Sequence, residues 1–224
     1  MLSNDDYLKI FHEIKNSITL IGSSLQLLEK KHPEVNNFEY WSETMNDIQF
    51  LKNMVTELSA SRINEKLHIT PVSLDKFLGE LEDSLRSLSW KHFYCKFSIE
   101  PDLPSVEFDS SRMKQAIINL LKNAYEAMLA NPANPDSSEI GTVNVHVFQK
   151  NQQLYINVID CGGGLDPSCS ENLFQSTATT KEYGSGLGLL ITRQIIEAHH
   201  GALSYESRPG DGCTFTIQLP FKQN

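Results

Sequence analysis

Asp160-Cys161-Gly162-Gly163-Gly164, followed about twenty residues on by Gly184-Ser185-Gly186-Leu187-Gly188-Leu189, contains six of the twelve glycines of the chain. The first cluster ends the alternating pattern of Leu154 to Ile159. The chain therefore leaves a sheet with a carboxylate at the strand tip and a backbone free to approach a ligand closely. The second cluster opens a helical pattern that runs from Gly186 to His199. Amides at a helix N-terminus with no side chains in front of them form an anion site suited to phosphates. Either cluster alone reads as a turn more often than as a nucleotide site. Together, flanking the polar segment Phe174 to Tyr183, they favour a lid over a bound nucleotide.

A third element lies upstream. Asn119 and Asn123 are four residues apart and share one face of a helix, while Leu120, Leu121 and Ala124 cover a core. Two amides on one face near a phosphate site read as ligands for a hydrated Mg²⁺, which binds through few protein oxygens plus substrate phosphates. A single Asn would read instead as a hydrogen bond to a neighbouring loop. Around these elements the periods mix: Leu74 to Leu88 predicts a helix, Phe93 to Ile99 a strand, and Asp109 the cap of a helix from about Ser110 to Met128. Val143, Val145 and Val147 alternate as in a strand. Ala202 to Glu206 and Cys213 to Leu219 predict a closing hairpin around Pro209-Gly210-Asp211-Gly212. The pattern is that of an α/β layer domain with a largely antiparallel sheet. Asn131 to Ser138 is a polar loop to which no chemistry is assigned.

The N-terminal third differs. Leu8, Phe11, Ile18, Ile21, Leu25 and Leu28 form an apolar stripe within Asn4 to Lys31, and Phe38, Trp41, Met45, Ile48, Leu51, Val55 and Leu58 form a second. Pro33 and the asparagines between them predict a short turn. Two such helices make an antiparallel hairpin whose apolar surface one partner helix cannot cover, so pairing of two chains into a four-helix bundle is expected. The polar stretch from Asn64 to Pro71 predicts the domain boundary, giving 1–65 as the hairpin and 66–224 as the α/β domain.

Composition narrows the function. The chain has 224 residues with 28 acidic and 19 basic side chains, a formal charge of −9 that argues against general nucleic-acid binding. With 40% hydrophobic and 21% charged residues it is expected to bury a core. No apolar run approaches the roughly 20 residues that span a bilayer, and Met1 to Lys9 lacks the order of a signal peptide. Cys95, Cys161, Cys169 and Cys213 form neither a CxxC pair nor a zinc grouping, so reduced, mostly buried thiols and a cytoplasmic setting are expected.

Asn119-x-x-x-Asn123, Asp160-x-Gly162-x-Gly164 and Gly184-x-Gly186-Leu187-Gly188-Leu189, in this order and spacing, resemble the asparagine box and the two glycine boxes of the ATP-binding domain shared by gyrase, the heat-shock chaperone, histidine kinases and MutL. Phe11-His12-Glu13-Ile14-Lys15-Asn16 resembles the H box of sensor histidine kinases, especially those related to nitrogen-regulation sensors. The four motifs cover nearly the whole chain. The resemblance implies an α+β architecture: an N-terminal antiparallel helical hairpin forming a dimeric four-helix bundle, then an α/β sandwich of the histidine kinase/gyrase/chaperone ATPase (Bergerat) type. It implies a protein-histidine kinase of a two-component phosphorelay, using ATP and Mg²⁺, with a response-regulator receiver domain as partner and a homodimer as the working unit.

Residue by residue, the resemblance implies His12 as phosphoacceptor, Glu13 as its base or orienter, and Asn16 as the holder of a water for dephosphorylating the partner's phospho-aspartate. Asp160 would accept a hydrogen bond from the adenine amino group. Asn123 would ligate Mg²⁺, and Asn119 would support it or touch the phosphates. Gly162, Gly164, Gly184, Gly186, Leu187 and Gly188 would surround the nucleotide with backbone. Lys181 and Lys122 are candidates for charge near the phosphates, although isolated lysines are more often plain surface residues. Phe174 matches the first aromatic of the F box, packing the base of the lid.

The chain departs from the family twice. Ser17 stands where a proline usually follows the H-box asparagine, and Ser176 and Thr177 stand where the F box continues with proline and a second phenylalanine. Two other classes compete with the kinase. An ATPase of the same superfamily without phosphohistidine would place a carboxylate where Asn119 stands, and a non-catalytic docking scaffold would have a degenerate nucleotide site. No sensor segment precedes His12, so the expectation is the core of a longer kinase, membrane-anchored or not, with a genuinely short kinase reading the same way.

Overall fold

The computed structural model describes residues 4–60, 67–86, 88, 90, 93–131, 141–165, 173–174 and 187–223; at 4–9, 11, 12, 53 and 56–60 it describes the backbone alone. The described residues form two compact units, one with 4–60 and 187–188 and the other with the remaining described residues.

The helical unit contains α1 (Asn4–Lys31), a 3-10 turn over Pro33–Asn37, and α2 (Trp41–Ala60). The amphipathic stripes place α1 and α2 against each other, closely enough that a Cβ on Gly22 would lie 3.2 Å from Ile48 Cγ2. Between them Pro33 occupies the first turn of the 3-10 segment, where its missing N–H costs nothing. Val35 is buried under that turn. The stripe predicts α2 from Phe38. In the structure Phe38 is extended and Tyr40 is left-handed at φ 66°, so α2 starts at Trp41. Periodicity counts the Phe38 side chain but does not register the backbone reversal that precedes the helix.

The second unit contains β1 (Thr70–Val72), α3 (Leu74–Arg86), β2 (Tyr94–Ile99), β3 (Val106–Phe108), α4 (Ser110–Leu129), β4 (Thr142–Lys150), β5 (Gln153–Ile159), all but the first two residues of α5 (Leu187–Ala198), β6 (Ala202–Arg208) and β7 (Gly212–Pro220). The main sheet has the order β2-β4-β5-β7-β6, antiparallel except for the β2–β4 pair. One face of its three central strands is buried: Val143, Val145 and Val147 on β4, Leu154, Ile156 and Val158 on β5, Phe215, Ile217 and Leu219 on β7. The apolar faces of the helices supply the other half of the core, with Leu81, Met113, Ile117, Leu120, Leu121, Ile191 and Ile196 among its most enclosed side chains. On the opposite face His146, Phe148 and Tyr155 stack at 4.9 and 5.3 Å.

A separate antiparallel pair, β1 with β3, sets Pro71 opposite Glu107. Neither three-residue strand is long enough to show an alternation, and Pro71 reads as a boundary signal. Its place in a two-stranded ribbon is compatible with a missing amide. Of the described thiols, Cys213 is buried, Cys95 is half-buried and Cys161 is exposed. Cys169 lies outside the described residues.

Candidate functional site

Asp160 stands where β5 ends, buried at 7% exposure. Its amide donates to the Cys213 carbonyl at 2.9 Å, and its Oδ1 accepts from the amides of Gly162 at 2.9 Å and Cys213 at 3.1 Å. Burial pushes the carboxyl above its ordinary range, and the two amide bonds hold it back. The same enclosure, with the Asp160 charge beside it, pushes the Cys213 thiol up to about 12. Among the described residues no hydrogen bond reaches Asp160 Oδ2. A buried carboxylate oriented through one oxygen presents the other as an acceptor for a ligand N–H.

The glycines after Asp160 are there for want of space. A Cβ on Gly162 would lie 2.9 Å from Ala127 Cβ and 3.0 Å from Asp160 Oδ1. Ala127 is one helical turn beyond Asn123 on α4, so this contact brings the asparagine helix against the Asp160 loop. Gly163 accepts the Gly210 amide at 3.0 Å, and Gly164 adopts φ +73°. Gly212, at φ +108°, would drive a Cβ into the Asp160 carbonyl oxygen. The β6–β7 turn therefore packs on the loop 160–164, fastened also by the Leu165 amide to Ser207 Oγ at 2.8 Å. Gly212 and Ser207 support the loop, a role that the sequence does not signal. The turn glycines were visible there, but their partners lie some 50 residues away.

Asn119 and Asn123 are both half-buried on α4, above the enclosed row Ala116, Ile117, Leu120, Leu121, Ala124 and Met128. The helix begins as the sequence predicts. Oδ1 of Asp109 accepts from Ser111 N at 3.0 Å, Ser111 Oγ at 3.0 Å and Arg112 N at 3.1 Å, and its Oδ2 accepts from His68 N at 2.9 Å. Burial pushes the Asp109 carboxyl up, but these four donors outweigh it and hold the group below its ordinary value. Lys122 Nζ lies 3.9 Å from Glu126 Oε1, a half-exposed pair one turn apart. At the other end of α4 the Met128 sulfur is 3.5 Å from Cys161 Sγ. Side-chain amide oxygens such as those of Asn119 and Asn123 are hard donors of the kind Mg²⁺ takes.

Leu187 and Gly188 form the first turn of α5; Leu187 is buried, and a Cβ on Gly188 would meet nothing within 4 Å. Lys181, Gly184 and Gly186 lie outside the described residues. Phe174 packs edge-on against Tyr205 at 5.6 Å and Phe215 at 6.4 Å.

In the helical unit, Glu13 and Asn16 are exposed on α1. The backbone of His12 is helical, and its side chain lies outside the described residues. Ser17, where the motif usually has proline, donates its hydroxyl to the Glu13 carbonyl at 2.8 Å. That bond is a milder helix perturbation than a proline.

Residues 108–223 match the family model described as histidine kinase-, DNA gyrase B-, and HSP90-like ATPase. The chain is 30% identical over 215 residues to sporulation kinase A of Bacillus subtilis, covering 95% of this chain and 34% of that protein. It is 28% identical over 212 residues to the sensory histidine kinase/phosphatase NtrB of Vibrio alginolyticus, covering 93% of this chain and 60% of that protein. The chain thus spans between about a third and three fifths of the length of these curated relatives. Full-length ShkA in complex with AMPPNP superposes with a TM-score of 0.72 at 20% identity, over 100% of this chain and 47% of that one. The catalytic domain of histidine kinase ThkA superposes with a TM-score of 0.55 at 28% identity, over 69% of this chain and 96% of that one.

Proposed function

Because this chain belongs to the histidine kinase-, DNA gyrase B- and HSP90-like ATPase family, we propose that it is the catalytic core of a two-component sensor histidine kinase, with residues 1–65 as the dimerising phosphoacceptor hairpin and 66–224 as the ATP-binding domain. The observation that carries this reading is the junction of Asp160 and Gly162 with the asparagine helix at Ala127. It brings the buried Asp160 carboxylate and the helix that carries Asn119 and Asn123 to one loop, which supports reading them as adenine acceptor and Mg²⁺ ligands.

Asp160 Oδ2 accepts the adenine amino group, and the glycine loop lets the backbone close on the base. Asn123 holds Mg²⁺ and Asn119 supports it or touches phosphate; the ion, when bound, neutralises charge on the triphosphate. A ring nitrogen of His12 attacks the γ-phosphorus in line. A P–N bond forms, the bond to the bridging oxygen breaks, and ADP leaves. Glu13 takes or steadies the imidazole proton as the ring becomes cationic. The phosphoryl group then passes to an aspartate of a response-regulator receiver domain, and Asn16 positions water for the reverse, phosphatase, reaction. Lys181, Gly184 and Gly186 complete the phosphate side by their motif.

Among the described residues no helix is long and apolar enough to cross a membrane. ATP as substrate places this core on the cytoplasmic side, whether the whole protein is anchored or free. Incubation with γ-labelled ATP and Mg²⁺ is expected to give an acid-labile, base-stable label on the chain. Label that survives in His12→Gln removes His12 as acceptor, and a chain that binds ATP but takes no label is an ATPase or a scaffold.

A further inference from the structure

α4 carries Asn119 and Asn123, one part of the proposed nucleotide grip. The far end of α5 is tied to the beginning of α4 by one imidazole. His199 follows α5 directly and is fully buried. Its Nδ1 lies 2.7 Å from the Ile195 carbonyl oxygen, and the Asp109 amide approaches Nε2 at 3.0 Å. A carbonyl can only accept and an amide N–H can only donate, so the two partners fix a neutral ring with its proton on Nδ1. Asp109 is the residue whose carboxylate caps α4.

We infer that His199 is a positioning residue for nucleotide binding: its Nε2 bond to the Asp109 amide fixes the start of α4 against the end of α5, and so fixes the helix that presents Asn119 and Asn123. Buried apolar side chains such as Met113, Ile117, Ile191 and Ile196 also hold the two helices on the core. Apolar burial is non-directional and tolerates small sliding, whereas a hydrogen bond between a buried ring and a capping amide does not. Without its acceptor, the buried amide regains a partner only by moving the start of α4, and the Asn119/Asn123 face moves with it. The inference rests on the reading of this site as an ATP site.

Two amide substitutions separate the two bonds of the ring. In His199→Gln the side-chain oxygen reaches the Nε2 position and still accepts from Asp109; in His199→Asn the side-chain amine reaches the Nδ1 position and still donates to Ile195, but the link to α4 is lost. Mg-ATP affinity, measured by calorimetry on the whole chain, is expected within about twofold of wild type for Gln and about five- to tenfold weaker for Asn, the worth of one net hydrogen bond. Equal affinities of the two variants overturn the inference, because a packing role alone does not distinguish them. In the wild type, linkage requires that Mg-AMPPNP protect the bond by the same factor, slowing local-opening hydrogen exchange of the Asp109 amide. Unchanged exchange overturns the inference even if His199→Asn fails to fold. A wild type that binds no Mg-ATP overturns the reading of the site itself; one that binds, with Asn and Gln alike, overturns the role of His199 alone.

Discussion

Cys213 and Asp160 exchange two hydrogen bonds, the Cys213 amide reaching Asp160 Oδ1 at 3.1 Å and the Asp160 amide reaching the Cys213 carbonyl at 2.9 Å. β7 therefore extends its pairing with β5 through the residue that leaves the sheet. The carboxylate is held by backbone on a rigid pair of strands, which is how a site keeps one acceptor aimed at one ligand group.

Replacing Asp160 by Asn tests that aim. The Asn carbonyl can take over the bonds from Gly162 and Cys213, so the fold is expected to survive. The atom presented to the base is then a donor facing a donor. ATP affinity is expected to fall about 10- to 100-fold, as for a lost charge-assisted hydrogen bond. Preference for ATP over a triphosphate whose purine lacks the amino group is expected to disappear. A variant that still discriminates between the two nucleotides excludes Asp160 as the adenine acceptor.

Gly162 and Gly163 are adjacent and predict opposite outcomes. A Cβ at 162 would meet Ala127 Cβ at 2.9 Å and the Ala127 backbone carbon at 3.1 Å, while at 163 nothing lies within 4 Å. Gly162→Ala is expected to lower stability by about 1–3 kcal/mol, as overpacking does, and to weaken nucleotide binding by pushing α4 off the loop. Gly163→Ala is expected to leave the melting temperature unchanged. Thermal unfolding of the pair checks this, and equal melting temperatures refute the close packing at Ala127.

Two groups give stability a pH dependence of the same sign in separate windows. Burial, opposed by the Ile195 bond and the Asp109 charge, holds His199 below its ordinary 6.5. The unfolded chain then binds the proton more tightly, so this contribution is whole above pH 6.5 and is lost as pH falls toward the folded value. Asp109 is held below its ordinary 3.8 because its four donors outweigh burial, so its contribution is whole above that pH and is lost below it. Denaturant unfolding across pH is expected to show the first decline in wild type and not in His199→Gln. Asp109→Ala is expected to cost about 1–2 kcal/mol near neutrality through loss of the cap. A wild type with flat stability from pH 7 to pH 5 contradicts the neutral, buried histidine.

Much of this is written in local periodicity. The alternation of Val143, Val145 and Val147, the cap at Asp109 and the Asn119/Asn123 face over buried Leu120, Leu121 and Ala124 each depend on residues within a few positions of one another. The sequence loses sight of contacts that span the chain. Asp109 meets His199 across 90 positions, and Gly212 meets Asp160 across a strand pair, so neither histidine nor glycine signals its partner locally. The thiols were expected to be mostly buried, but Cys161 is exposed because its strand ends two residues earlier, at Ile159. Lys122 lies on the Glu126 side of α4, a pairing that a motif read for phosphate charge does not anticipate.

The hairpin leaves an exposed apolar seam, which the proposed dimer would cover. Ile14, Ile21 and Leu28 recur every seven residues along α1 and remain 40%, 50% and 41% exposed. The contact with α2 lies to one side of this seam, where Gly22 approaches Ile48. A heptad row left open beside an occupied one is the geometry of a helix that packs against two neighbours at once. Placing glutamates at two seam positions, Ile14→Glu with Ile21→Glu, would bury four unpaired charges across a twofold dimer. The dimer dissociation constant is expected to rise about a hundredfold or more. Leu20, 68% exposed and one position off the seam, serves as the control, and Leu20→Glu is expected to remain dimeric. Sedimentation velocity over a range of concentrations reads both, and a double variant that sediments as the wild type does would place the dimer contact elsewhere.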